Sequence, residues 1–331
     1  TRRNVFIASG GVILPWVAGF LVAVYGVSDA YVPPGVNRIS FAVFVGAILV
    51  ATSTAIAAAM LLELGLIQTR VAKAIMGAAV IDDILGLLVL SIAIGTNRGT
   101  VDLTSLAILG GTATAFILIG AWVGAQFFGR LVVKLQASGE RIGLRYGGFM
   151  VAIAITFLYA AIAETIGLSA IIGAFVAGTM FAVTPLKADL QRGAERLGTI
   201  FTPAFFISMG LLVNLWTLDS NLLVFGVILI VLAFFTKVIG CVIPARLYGM
   251  TPDEAWAVGY GMTPRGEVGL IIAQAAFLVG VIRSELFSII VIALIIVSVM
   301  PTLFLKHYLV RIRKAHATAA VTAPPPAGEQ S

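Results

Sequence analysis

Runs of about 20 residues with almost no charge recur along the whole chain, and no other feature limits its folding so strongly. A helix of that length matches the ~30 Å hydrocarbon core of a bilayer. Ten such spans can be drawn, at 5–26, 41–62, 74–95, 103–128, 147–163, 167–183, 197–215, 221–245, 255–279 and 286–305. Only 11% of the 331 residues are charged, against about 25% in ordinary soluble domains. The expectation is an all-α, polytopic membrane protein. The single cysteine, Cys241, lies inside an apolar run, so no disulfide can form within the chain.

The net charge of +6 is explained by its placement. With the connections numbered alternately, only Arg38, Arg98 and Arg283 fall on one side, and Lys237 and Arg265 lie inside spans. All sixteen other Lys and Arg residues fall on the opposite side. Cytoplasmic loops carry such an excess, so both ends of the segment are expected to be cytoplasmic. The basic balance thus reads as topology, and no nucleic-acid partner is expected.

Charges inside the spans are few. Asp82 and Asp83 sit in the middle of the third, Lys237 deep in the eighth, and Arg265 and Glu267 in the ninth. A carboxylate at the centre of a membrane helix costs about 2.5–3.5 kcal/mol on insertion scales, so a pair needs partners or a function. Neighbouring helical residues point about 100° apart. One natural division pairs one carboxylate with Lys237 and leaves the other facing a water-filled cavity. There it can hold a small cation or a proton but not both tightly, which is antiport in its simplest form.

Two spans carry signs of interruption. The ninth contains Gly261-Met262-Thr263-Pro264-Arg265-Gly266-Glu267, where proline removes a helix donor. The second contains Ala51-Thr52-Ser53-Thr54-Ala55, which reads equally well as a break or as hydroxyls bonding back within an intact helix. Broken spans in corresponding places point to an inverted-repeat transporter, with spans one to three mirrored by eight to ten.

Four blocks in order, AAVIDDILGL (78–87), GLSAIIGAFVAG (167–178), FFTKVIG (234–240) and GMTPRGEVGLIIA (261–273), resemble prokaryotic sodium/proton antiporters of the monovalent cation:proton antiporter-2 family. The resemblance extends to about Leu305. It implies a core domain with two crossed broken helices that moves against a dimerisation domain. Residues 1–95 and 221–312 would form the two halves of the core. Residues 96–220 would supply linking and dimerisation helices, and 313–331 a disordered cytoplasmic tail. It also implies Asp83 as the cation- and proton-binding carboxylate; by residue type, Thr52 and Ser53 are candidate sodium ligands or caps of the half-helices. Asp82 would be salt-bridged to Lys237, itself a candidate proton carrier. Thr52 and Ser53 would lie in the first break, and Thr263, Pro264, Arg265 and Glu267 in the second. Arg265 and Glu267 are expected mainly to neutralise each other and the broken helix ends.

The implied function is exchange of Na+ (or Li+) for H+ across the cytoplasmic membrane, in the service of pH homeostasis. The Asp-Asp pair with a lysine resembles electrogenic members. Potassium/proton exchange or potassium efflux on the same fold is the alternative, and a non-transporting membrane sensor a more distant one. No enzyme is expected, because the spans carry no nucleophile–histidine pair, metal cluster or phosphate loop. No cofactor is expected either, only the transported ions. The partners are a monovalent cation, a proton, the lipid bilayer and a second copy in a homodimer of the full-length protein. Family members have about three spans before the point where this segment begins, so it is expected to be N-terminally truncated.

Overall fold

A computed structural model describes residues 2–53, 55–97, 103–141, 146–168 and 170–322. Thr54, Arg98, Arg145 and Ser169, each part of a reading above, lie outside them, as do residues 323–331. The described residues are helical throughout, without a strand: α1 (Arg2–Tyr25), α2 (Arg38–Val50), α3 (Ala55–Glu63), α4 (Arg70–Asn97), α5 (Leu103–Val123), α6 (Gly129–Arg141), α7 (Gly147–Thr165), α8 (Ala170–Phe181), α9 (Lys187–Leu211), α10 (Ser220–Leu247), α11 (Pro252–Gly261), α12 (Glu267–Leu278) and α13 (Ser284–Thr322). One π-helical turn, Gly124–Phe128, joins α5 to α6.

Each expected span falls on one of these helices or on a broken pair. Seven helices among the described residues are long and apolar enough to cross a membrane; α2, α8 and α12 are shorter apolar helices. The second span, for which an intact helix was equally possible, is interrupted between Val50 and Ala55. The ninth is interrupted between Gly261 and Glu267.

Three boundaries differ from expectation. The fourth helical rod continues through the basic connection to Arg141, and α9 starts at Lys187, ten residues before its expected span. Charged residues there end an apolar run but not a helix, which i, i+3 and i, i+4 pairs support. Arg130 donates to Gln126 at 2.8 Å, Gln191 to Glu195 at 2.9 Å, and Arg192 pairs with Asp189. The third difference is α13, which reaches Thr322, so residues 313–322 are helical and not a disordered tail. Ala315, Ala317, Ala319 and Ala320 favour that continuation, alanine being the strongest helix former.

The burial pattern is that of a membrane protein. Large apolar side chains such as Phe157, Phe201, Ile207 and Leu223 are exposed, while Asp82, Lys237 and Arg265 are buried. Two buried apolar clusters tie α1–α4 to α10–α13, and a third joins α5–α8 with contributions from α4 and α9. α1 crosses α10 with the two backbones in close approach. A Cβ on Gly10 would lie 2.2 Å from the Gly240 carbonyl oxygen, and one on Gly240 2.4 Å from that of Gly10. Lipid offers no hydrophobic drive between helices, so contact of this kind must come from small residues that let backbones meet.

Candidate ion site at the helix crossing

The two interruptions meet. Ser53 N donates to the Pro264 carbonyl at 2.8 Å, and Thr52 Oγ1 donates to the Met262 carbonyl at 3.2 Å. A Cβ on Gly266 would stand 2.4 Å from that of Ser53, so only glycine allows this approach. Thr263 Oγ1, in the break, donates back to Gly259 O in the last turn of α11 at 2.7 Å. Broken backbone in a membrane must find partners in the protein, and here each break supplies partners to the other.

Ending α2 at mid-span leaves its last carbonyls without intrahelical donors and concentrates partial negative charge there. Two cations meet that end. Lys237 Nζ donates to Val50 O at 2.8 Å, and Arg265 Nη1 donates to the same oxygen at 2.9 Å and also to Ala51 O. Arg265 Nη2 donates to Ala233 O of α10 at 3.1 Å. The carbonyls of Val50, Ala51 and Ala233 are backbone atoms, so residue type gave no sign of them.

Asp82 lies against Lys237, Oδ1 to Nζ 2.6 Å, with side-chain exposures of 1% and 0%. The other Asp82 oxygen, Oδ2, is buried with no hydrogen-bond partner among the described residues. Asp83, on the next position of α4, is half-buried and lies within electrostatic range of Asp82, Lys237 and Glu267. The geometry thus contains one fully buried ion pair and one less enclosed carboxylate beside it.

Comparison with known proteins bears on this arrangement. The family described as "Sodium/hydrogen exchanger, transmembrane" matches residues 2–311. The chain belongs to that family. Within it, the chain is 33% identical over 313 residues to the Na(+)/H(+)-K(+) antiporter GerN of Bacillus cereus, covering 92% of this chain and 75% of the relative. It is 32% identical over 313 residues to an Na(+)/H(+) antiporter of Enterococcus hirae, covering 93% and 77%. The high-affinity Na(+)/H(+) antiporter NhaS3 of Synechocystis is 29% identical over 324 residues, covering 94% and 66%.

In this exchanger-family chain, Arg265 and Glu267 form no close ion pair with each other, and Arg265 instead meets a broken helix end, the other half of the expectation. Arg265 turns to the carbonyls of α2 and α10, and Glu267 forms no ion pair among the described residues. Glu267 instead opens α12 and lines a cavity of about 360 Å3 with Ser53, Arg265 and Ser298. Ser298 of α13 was not anticipated. Its hydroxyl reaches the Arg265 carbonyl, joining the last helix to the break, and one serine in an apolar span carries no sequence signal for that role.

Proposed function

We propose that this protein exchanges Na+ or Li+ for H+ across the cytoplasmic membrane by alternating access. The observation that carries the reading is the half-buried Asp83 beside the buried Asp82–Lys237 pair, where two broken helices cross in a sodium/hydrogen exchanger-family chain. Asp83 holds either the cation or a proton. Thr52 and Ser53, in the first break, would supply hydroxyl and backbone oxygens to a shell for a dehydrated cation. A cation arriving at Asp83 adds positive charge beside Lys237 and weakens its bond to Asp82. Loss of a proton from Lys237 would then make the exchange electrogenic. A membrane potential of 100 mV would contribute about 2.3 kcal/mol per net charge moved.

In this reading α1–α4 and α10–α13 form the transport core, and α5–α9 the linking and dimerisation helices of a homodimer in the full-length protein. Both ends of the segment are cytoplasmic, as the basic loops require. The protein works with no cofactor and catalyses no covalent chemistry; its substrates are the ions. One specific observation keeps potassium in view: the Bacillus cereus relative is described as exchanging potassium as well.

The test is dissipation of a pH gradient in proteoliposomes by Na+, Li+ and K+, titrated separately, with Asp83→Asn beside the parent. Sodium-driven exchange that disappears in the variant supports the reading. Activity with potassium alone would move the assignment to that ion, and inactivity of a folded parent with all three would overturn it.

A further inference from the structure

Arg265 is tied down at both ends of the residue. Its guanidinium meets the carbonyls of α2 and α10, while its own carbonyl accepts the hydroxyl of Ser298 on α13. That carbonyl precedes Gly266, the cap of α12, and follows the end of α11, so no intrahelical donor reaches it. An unpaired carbonyl inside a membrane is costly, so the Ser298 bond bears on where the break sits.

Three observations make this bond one that can be released. First, the Ser298 hydroxyl has a second acceptor within reach, Leu294 O of its own helix at 2.7 Å. A hydroxyl carries one proton, so it serves Arg265 or Leu294 fully but not both. Leu294 O is also the helical partner of the Ser298 amide, so of the two carbonyls only that of Arg265 depends on the hydroxyl. Second, Ser298 lies about one turn before Pro301, inside α13. Proline lacks the N–H that would bond Val297 O, and a serine bonding back to position i−4 favours bending. α13 is therefore easiest to bend at the turn that touches the break. Third, Ser298, Arg265 and Gly266 border the cavity of about 360 Å3, so a shift of the break there meets open space and not packed side chains.

Resting on the exchange proposed above, we infer that Ser298 is a positioning residue that latches the second break in one access state and releases it in the other. Latched, its proton lies on the Arg265 carbonyl, and the guanidinium is held on the end of α2 beside Lys237. Released, the proton turns to Leu294 O, so the hydroxyl loses no hydrogen bond as the break moves. The hydrogen bonds of Ser298 run to backbone oxygens and not to Asp83. It therefore acts on the populations of the two states and not on cation affinity within either. Apparent affinity at each membrane face scales with the fraction of protein open to that face. The ratio of the two apparent affinities thus reports the equilibrium between the states.

The experiment measures half-saturating sodium for exchange in proteoliposomes of defined orientation, with sodium added to one face and then to the other. It compares the parent, Ser298→Ala, Ser298→Thr and Asp83→Asn, with thermal unfolding of each and deuterium exchange of residues 262–267. Loss of one hydrogen bond moves a two-state equilibrium about fivefold, so the ratio in Ser298→Ala is expected to change about fivefold. Amides of the break are expected to exchange faster. Ser298→Thr keeps the hydroxyl and returns the ratio to within about twofold of the parent. If Ser298→Ala does not fold, Ser298→Cys, with its weak S–H donor, takes its place and shifts the ratio. An unchanged ratio with a lowered unfolding temperature would mean that the bond persists in both states, and would overturn the inference. So would a shifted ratio that folded Ser298→Thr fails to restore. A parent without exchange, or exchange surviving in Asp83→Asn, defeats the underlying function instead, whereas unaltered deuterium exchange of the break in Ser298→Ala refutes the latch by itself.

Discussion

Lys237 and Arg265 converge on one oxygen, the carbonyl of Val50, at 2.8 and 2.9 Å. Two like charges on one acceptor would be unfavourable in a low-dielectric interior unless the acceptor carried more than its own dipole. It does, because Val50 ends α2 inside the membrane and the helix concentrates negative partial charge there. Asp82 supplies the formal charge that completes the balance. The ion pair and the broken helix are therefore one electrostatic unit, and movement of the break alters the field at the carboxylates.

Removing one member of that unit should cost more than removing two. Lys237→Met leaves Asp82 buried and unpaired, a change worth about 3–5 kcal/mol. Lys237→Met combined with Asp82→Asn removes both charges and should recover much of the loss. Thermal unfolding in detergent of the two variants and the parent checks this; equal destabilisation in both would show that the pair is not coupled.

Arg265 reaches the carbonyls of Val50, Ala51 and Ala233 through a planar fork that a lysine cannot reproduce. Arg265→Lys keeps the charge and still leaves at least one buried carbonyl unpaired, at about 1–3 kcal/mol. The expected result is a lower unfolding temperature despite conserved charge. A parent-like temperature would mean that charge alone holds the end of α2.

Much of this centre was legible in the sequence, because charged residues in apolar spans must find one another. Asp82, Lys237, Arg265 and Glu267 stood out for that reason, as did the break at Pro264. The partners of Arg265 did not stand out: Val50 and Ala51 lie more than 200 positions away and act through backbone oxygen, which every residue has. Helix ends were legible only where a cap or proline marked them. Thr251 with Glu254 closes a capping box at the start of α11, but Lys187 begins α9 inside a charged stretch that resembles a loop by composition. Length also misleads at a break, since α2 and α12 are each too short to cross a membrane alone.

The α1–α10 crossing predicts strong sensitivity to one methyl group. Gly10→Ala places a Cβ against the Gly240 carbonyl, and separating the helices displaces the buried contacts of α1 with the core. Overpacking of this kind costs about 1–3 kcal/mol. Reduced yield of folded protein and a lower unfolding temperature are expected, whereas Gly35→Ala, with open space around its Cβ position but a φ of 82°, should show only a modest effect from backbone strain.

Outside the membrane-spanning segments, Tyr31 donates a hydrogen bond to Asp219, 188 positions away, joining the α1–α2 connection to the start of α10. That bond, with a second from Leu222 N, holds the Asp219 carboxyl below the usual carboxylate range, and acceptance by Asp219 raises the Tyr31 hydroxyl. A depressed carboxyl contributes stability above its unfolded pKa of about 3.9 and loses it as pH falls through the folded value. A raised tyrosine contributes below its unfolded pKa of about 10 and loses that as pH rises through the folded value. The stability difference between the parent and Tyr31→Phe should therefore form a plateau near neutrality and shrink at both extremes. A difference independent of pH would show that the contact is packing alone.

Competition at Asp83 makes the last prediction quantitative. If one carboxylate binds either a proton or a cation, protons act as a competitive inhibitor, because a ligating carboxyl must first be deprotonated. In the acid limb, the half-saturating sodium concentration should rise about tenfold per pH unit, while the rate at saturating sodium stays constant. A second proton released from Lys237 on cation binding would steepen that slope beyond one, and Lys237→Met would return it to one. Initial rates of sodium uptake against an imposed pH gradient, over at least two pH units, give both slopes. A fall in the maximal rate with unchanged sodium affinity would instead place the proton on a different group from the cation, and the shared-carboxylate mechanism would fail.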